Sequence, residues 1–254
     1  MKKTRVQRVY SVNHSVEPIA TTLAFGGLLY AYSRLGATGR VAENSLSGLS
    51  QLDVNQFDRH VFANDREGFA KAKSTSDIVL FSAVMAPGLL FIDRNFRFQW
   101  KDILTMYIQS QALNSGLYQL STVSIDRTRP LSYYHELSIE ERTADGTLNS
   151  FYSGHTSSVA VASFFVAKVM SDVHRLGLWK KLILYSLAAA PPAWVGFLRV
   201  KAGKHFRSDV FVGGLVGAFT GVLLPLLHKT ERKLQVMPSV NSRVKGLTLT
   251  YKLG

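Results

Sequence analysis

Three short stretches of the 254-residue chain combine side chains that could transfer a phosphoryl group. They are Arg127-Thr128-Arg129-Pro130, Tyr152-Ser153-Gly154-His155, and the run from Arg199 through His205 to Asp209. Hydrolysis of a phosphate ester needs a nucleophile in line with the leaving oxygen, an acid to protonate that oxygen, and donors around the remaining oxygens. A neutral imidazole is nucleophilic near pH 7, which makes His205 the candidate nucleophile. Asp209 lies four residues on, one helical turn away, where its carboxylate could accept the other ring N–H and hold the tautomer. His155 is then the remaining proton donor. Arg129 and Arg199 offer planar forks to phosphate oxygens, and Ser153-Gly154 at a helix start offers a hydroxyl and backbone N–H groups. Taken singly, these residues are ordinary: an Arg-Pro pair, a helix cap at Ser153, a solvated i,i+4 pair. Zinc ligation by His155, His205 and Asp209 competes with the phosphoryl-transfer reading. The neighbouring arginines would repel a cation, so neither a metal nor a cofactor is expected.

The elements that must position these residues follow from charge and hydropathy. Lys and Arg number 30 against 17 acids, a formal charge of +13 that suits nucleic acid or anionic lipid equally. The apolar runs decide for lipid and leave no role for nucleic acid. The lack of cysteine excludes a disulfide framework, a thiolate nucleophile and a thiolate-bound metal. Five stretches lack Asp, Glu, Lys and Arg: Pro18 to Ser33, Ile78 to Ile92, Ile103 to Ile125, Leu182 to Leu198 and Val210 to Leu227. A sixth apolar run extends from Thr156 to Ala167. Spanning hydrocarbon takes roughly 20 residues, so the shorter runs must borrow interfacial ones.

Six crossings put Lys2, Lys3, Arg5 and Arg8, then Arg94, Arg97 and Lys101, then Arg175, Lys180 and Lys181, then Lys229, Arg232 and Lys233 on one side. That is the cytoplasmic side by the positive-inside rule, and both termini belong to it. The three chemistry-bearing stretches share the other face, where ionisable groups at membrane ends point to function. The basic start before an apolar run also fits a secretory signal, but no small-x-small cleavage site follows it closely. In the connector Leu35 to Asp77, the spacing of Leu46, Leu49, Leu52, Val54 and Phe57 predicts a short amphipathic helix on the membrane. The tail from Val240 alternates Leu247, Leu249 and Tyr251 with Thr248, Thr250 and Lys252, a strand-like pattern with no visible partner. We expect one all-α domain over 1–254, its core at about 78–227, with a cytoplasmic tail at 229–254.

The three stretches resemble the signature blocks of the type 2 phosphatidic acid phosphatase superfamily: Lys-x6-Arg-Pro, Pro-Ser-Gly-His and Ser-Arg-x5-His-x3-Asp. The third is the most specific match, with Arg199, His205 and Asp209 in register. The resemblance runs from about Ile78 to Leu227. It implies a six-transmembrane-helix bundle of the phosphatase and haloperoxidase type, and a metal-free lipid phosphatase with its site on the outer face of a bacterial inner membrane. It implies a phosphohistidine on His205, orientation of that ring by Asp209, and proton transfer by His155. It also implies phosphate binding by Arg129, Arg199, Ser153 and Gly154. The expected partners are a lipid phosphate substrate and membrane lipids. Three positions depart from the pattern. Thr122 stands where the family has its first-block lysine, Tyr152 replaces the second-block Pro, and Leu198 replaces the third-block Ser. Arg127, Lys201, Lys204 and Arg207 could each replace the lysine's charge, and Arg127 is the preferred candidate. A lipid-binding relative without turnover and a soluble helical relative, such as an acid phosphatase or haloperoxidase, are the competing expectations.

Overall fold

The computed structural model of the chain describes residues 8–34, 39–230, 234–241 and 244–251. Lys2, Lys3, Arg5, Arg232, Lys233 and Lys252, used in the sequence argument, lie outside them. A long helix forms at each apolar run: α1 (Glu17–Arg34), α3 (Phe69–Met85), α5 (Trp100–Ser124), α7 (Gly154–Val173), α8 (Leu178–Lys201) and α9 (Arg207–His228). The four-residue helices α2 (Gln56–Arg59), α4 (Arg94–Arg97) and α6 (Ile139–Arg142) sit in the connectors.

Among the described residues, four helical stretches are long and apolar enough to cross a membrane: Arg66–Ile92, Gly154–Val173, Leu178–Lys201 and Arg207–His228. Their outer surfaces expose Ile78, Phe81, Ile183, Leu187, Phe211 and Phe219. So large an apolar exterior fits lipid rather than water, and the protein is an integral membrane protein. The interior is polar in places. Ser110 and Asn114 of α5 are buried, and Asn114 Nδ2 donates to Ser157 Oγ at 3.1 Å.

α7 is the central helix, packed against α9, α8, α5 and α3. Its contact with α9 is close because α9 presents Gly213, Gly217 and Gly221, one every four residues on one face. A Cβ at Gly217 would lie 2.1 Å from the Ser157 carbonyl oxygen, and one at Gly213 only 2.6 Å from that of Ser153. The two backbones therefore touch, and this contact brings the start of α7, with His155, beside the start of α9, with Asp209.

The ends of the described body meet at one end of the bundle, where Thr230 N donates to Val9 O at 3.0 Å and Ser11 N to His228 O at 2.9 Å. The connectors before α3, between α5 and α7, and between α8 and α9 share the opposite end. The first of these does not form the expected amphipathic helix. It folds as short 3-10 turns at Glu43–Gly48, Gln51–Asp53, His60–Ala63 and Arg66–Gly68, interrupted by α2. The cause is its capping residues: Ser50 accepts from Leu52 N, Asn55 from Asp58 N and Asp65 from Glu67 N, each starting a new turn before the last could lengthen.

The all-α expectation holds for the membrane body but not for the tail, where β1 (Leu234–Asn241) pairs antiparallel with β2 (Val244–Tyr251). The alternating tail thus has its partner in the segment just before it. That partner was hidden because Pro238 and the polar residues around it break the strand signature.

Candidate active site

Five residues, Ala202 to Phe206, separate the end of α8 from the start of α9, and the turn they form positions His205. Gly203 has a φ of 64°, the left-handed geometry that ends a helix, and Lys204 N donates back to Arg199 O at 3.1 Å. His205 follows, only 2% exposed. Its Nδ1 lies 2.7 Å from the carbonyl oxygen of Ser150. A carbonyl can only accept, so Nδ1 carries the proton and Nε2 keeps its lone pair.

Asp209 was expected to accept from that ring, but its nearest oxygen is 3.9 Å from Nδ1. It accepts instead from Ser150 Oγ at 2.6 Å, from Phe206 N at 2.8 Å and from Arg127. Its hold on His205 therefore passes through Ser150, whose hydroxyl it fixes while the same residue's carbonyl fixes the ring. Arg127 also binds Asp58 Oδ2 at 2.7 Å, and its guanidinium lies over the Phe206 ring at 4.6 Å. Asp58 in turn accepts from Ser208 N at 2.9 Å and Ser208 Oγ at 2.7 Å. Burial alone would raise the Asp58 carboxyl, but the bonds from Ser208, Asn55 and Arg127 outweigh it and hold the group below its usual range.

A cavity of about 370 Å³ opens beside His205. Arg129, Gly154, His155, Arg199 and His205 line it, together with Leu80 of α3 and Asn114, Ser115, Tyr118 and Ser158 of α5 and α7. Five of the eight expected site residues thus converge. Arg127 is not among the lining residues, because two carboxylates hold it behind His205. Ser153 is absent too: it is fully buried, its hydroxyl 2.9 Å from Thr156 Oγ1.

His155 Nε2 is 2.8 Å from Asp77 Oδ1, and Arg199 Nη1 is 3.6 Å from the same oxygen. Arg199 Nη1 also donates to Ser76 Oγ at 3.2 Å, and Arg129 Nη2 donates to Asn149 O at 3.1 Å. Burial, then Arg129 and Arg199, push His205 well below its ordinary value, so the ring stays neutral. Lys204 is pulled down to about 8 by burial and then by Arg129, Arg199 and Lys73, against the attraction of Asp77. The arrangement is a cationic bowl around an uncharged imidazole. Among the described residues no three His, Asp or Glu side chains converge as metal ligands would.

The model of the PAP2 superfamily matches residues 99–233, more than half of the chain. This chain belongs to the PAP2 superfamily. Phospholipid phosphatase 1 of Rattus norvegicus is 36% identical over 90 residues, covering 34% of this chain and 31% of that protein. The mouse protein of the same name is 38% identical over the same length and shares. The match thus spans about a third of these relatives. The crystal structure of Aquifex aeolicus LpxE is 24% identical, with a TM-score of 0.43, over 69% of this chain and 98% of its own. The first transmembrane PAP2 type phosphatidylglycerolphosphate phosphatase from Bacillus subtilis is 20% identical, with a TM-score of 0.42, over 82% and 94%.

Within the PAP2 pattern, Thr122 at the lysine position is buried in α5 and spends its hydroxyl on Gln119 O at 2.8 Å. It can offer phosphate nothing. Leu198 and Tyr152, at the other departures, are buried packing residues, and the Tyr152 ring stands edge-on to Tyr118. Asp58, Asp77 and Ser150 were missed by sequence reasoning. Asp77 was within reach, being an ionisable residue at the end of an apolar run on the same face as the others. Asp58 and Ser150 carry no such signal, because their roles depend on which loop folds over which.

Proposed function

We propose that this PAP2 protein is a membrane phosphatase that hydrolyses a lipid phosphate or diphosphate through a phosphohistidine on His205. The observation that carries the reading is the Nδ1-protonated, neutral imidazole of His205 at a cavity lined by Arg129, Arg199 and His155. In the first step Nε2 attacks phosphorus, the P–O bond to the lipid breaks, and the leaving oxygen takes a proton from His155. In the second, water attacks the phosphorus and gives a proton to His155. The P–N bond then breaks and inorganic phosphate is released. Arg129 and Arg199 hold the equatorial oxygens throughout, and no metal takes part.

Lys204 replaces the charge absent at Thr122. It comes from the same turn as His205 and shares its electrostatic surroundings with Arg129 and Arg199. Arg127, the candidate preferred from the sequence, is already paired with Asp58 and Asp209. The lipid chain leaves the cavity between Leu80 of α3 and Ser115 and Tyr118 of α5, while lower down Tyr107 Oη donates to Val84 O at 2.7 Å and closes the two helices together. All six long helices cross the membrane, α1 and α5 included, and the site faces outward. Phosphatidic acid, phosphatidylglycerol phosphate, a polyprenyl diphosphate and the phosphates of lipid A all have the required chemistry.

The test is phosphate release from that panel by detergent-purified protein with excess EDTA, beside His205→Ala. Release that survives EDTA and vanishes in the variant supports the mechanism; full activity of the variant refutes the assigned nucleophile. The second reading, a relative that binds lipid phosphate without turnover, is favoured by Thr122 alone and predicts binding with no release from any substrate.

A further inference from the structure

The end of the bundle away from His205 holds a second polar cavity, of about 280 Å³, between the end of α7, the start of α8 and the chain leaving α9. Among the described residues its walls carry Arg8, Arg175, Lys181 and Lys229 and one carboxylate, Asp172. That carboxylate is already engaged. It accepts from Tyr10 Oη at 3.0 Å and from Lys229 Nζ at 2.8 Å, and it pairs with Lys168. Arg8 is held by Asp102 through bonds of 2.8 and 2.9 Å. By formal count among the described residues, the four cations of the wall outnumber Asp172 and the Asp102 that holds Arg8.

Position names the ligand. The 20 residues of α7 separate this cavity from the catalytic one, by about 30 Å at 1.5 Å per residue, which is the thickness of the hydrocarbon core. The cavity thus lies at the opposite membrane–water boundary. Leu178 and Trp179, on the first turn of α8, are 69% and 78% exposed, as residues seated among lipid head groups are. No histidine lines the cavity among the described residues, so an anion there would be held without being cleaved.

We infer that this cavity binds the phosphate of an anionic phospholipid from the leaflet opposite the catalytic site. The bound head group adds a link among the N-terminal segment, the α7–α8 turn and the exit of α9, which already meet through the Asp172 cluster and, for the first and last, through backbone bonds.

The experiment is native mass spectrometry of the full chain in detergent, with phosphatidylglycerol or phosphatidylcholine added. The wild type should retain phosphatidylglycerol preferentially, and Lys181→Ala should weaken retention about fivefold for one lost cation near the surface. Lys181→Arg should restore it, and Arg199→Ala, which disables the catalytic cavity instead, should leave it unchanged. Equal retention of the two lipids by wild type overturns the proposal, and that comparison stands whether or not a variant purifies. Loss of retention in Arg199→Ala overturns it as well, by assigning the lipid to the catalytic cavity. Displacement of the lipid by equimolar inorganic phosphate shows a site for the free anion and overturns the lipid assignment.

Discussion

Asp77 and His155 meet at 2.8 Å between Oδ1 and Nε2, linking α3 to α7 beside the catalytic cavity. The carboxylate fixes the plane of the imidazole that transfers protons in the proposed reaction. Positioned acid–base groups contribute about 10²- to 10⁴-fold to rate, and losing orientation forfeits part of that. Asp77→Asn is expected to lower kcat about tenfold with KM little changed, and to reshape the pH profile of kcat. A purely structural role would move the melting temperature and leave the profile alone.

The His205 ring stays neutral far below the usual histidine range, because burial and the two arginines oppose its protonation. In the proposed reaction the neutral form is the nucleophile, so activity depends on the proton being off Nε2. As pH falls, the loss of kcat/KM from this group should begin well below 6.5 rather than at it. A rate against pH series with a soluble short-chain substrate checks this. An acid limb centred at 6.5 that belongs to His205 would contradict the neutral, buried ring.

Lys204, at about 8, can hold phosphate in the proposed reaction only while protonated. Its contribution is complete below that value and is lost as pH rises through it, so kcat/KM should decline above about pH 8. Lys204→Met should raise KM about tenfold, on the order of one charge-assisted contact, and remove that alkaline decline. Lys204→Arg should restore KM and keep the profile flat above pH 8. Unchanged KM in the Met variant would return the missing charge to another residue.

Gly217 is where α7 and α9 come closest, with a Cβ there 2.1 Å from Ser157 O. Gly217→Ala forces the helices apart, at a cost of about 2 kcal/mol or more by analogy with overpacked cores. A thermal unfolding scan in detergent should show the drop, and phosphate release should fall with it, because His155 opens α7 and His205 lies in the turn that leads into α9.

The fold was legible wherever one residue type dominated a stretch. Each apolar run became a helix, and the Arg199, His205 and Asp209 spacing placed its residues on the turn and helix start that build the site. What stayed hidden depended on contacts between segments distant in sequence. Asp209 looked like the partner of His205 because the two are one turn apart, yet Ser150, fifty-five positions away, took the ring. Arg127 looked like a phosphate ligand because a cation near Arg129 was needed, and Asp58 claimed it from a connector whose own secondary structure was misread. The Gly213, Gly217 and Gly221 repeat is plain in the sequence, but its partner helix is not.

Asp58 and Asp77 both precede residue 99, where the stretch shared with the PAP2 family begins. The groups proposed to do the chemistry lie within that stretch, while two of the carboxylates that set their geometry come from upstream segments. The reaction and its adjustment are thus encoded in separate parts of the chain. Exchange of the upstream part between relatives could alter proton transfer and the setting of Arg127 while every signature residue stays in place, a route by which one catalytic core can diverge in pH range or substrate without passing through an inactive form.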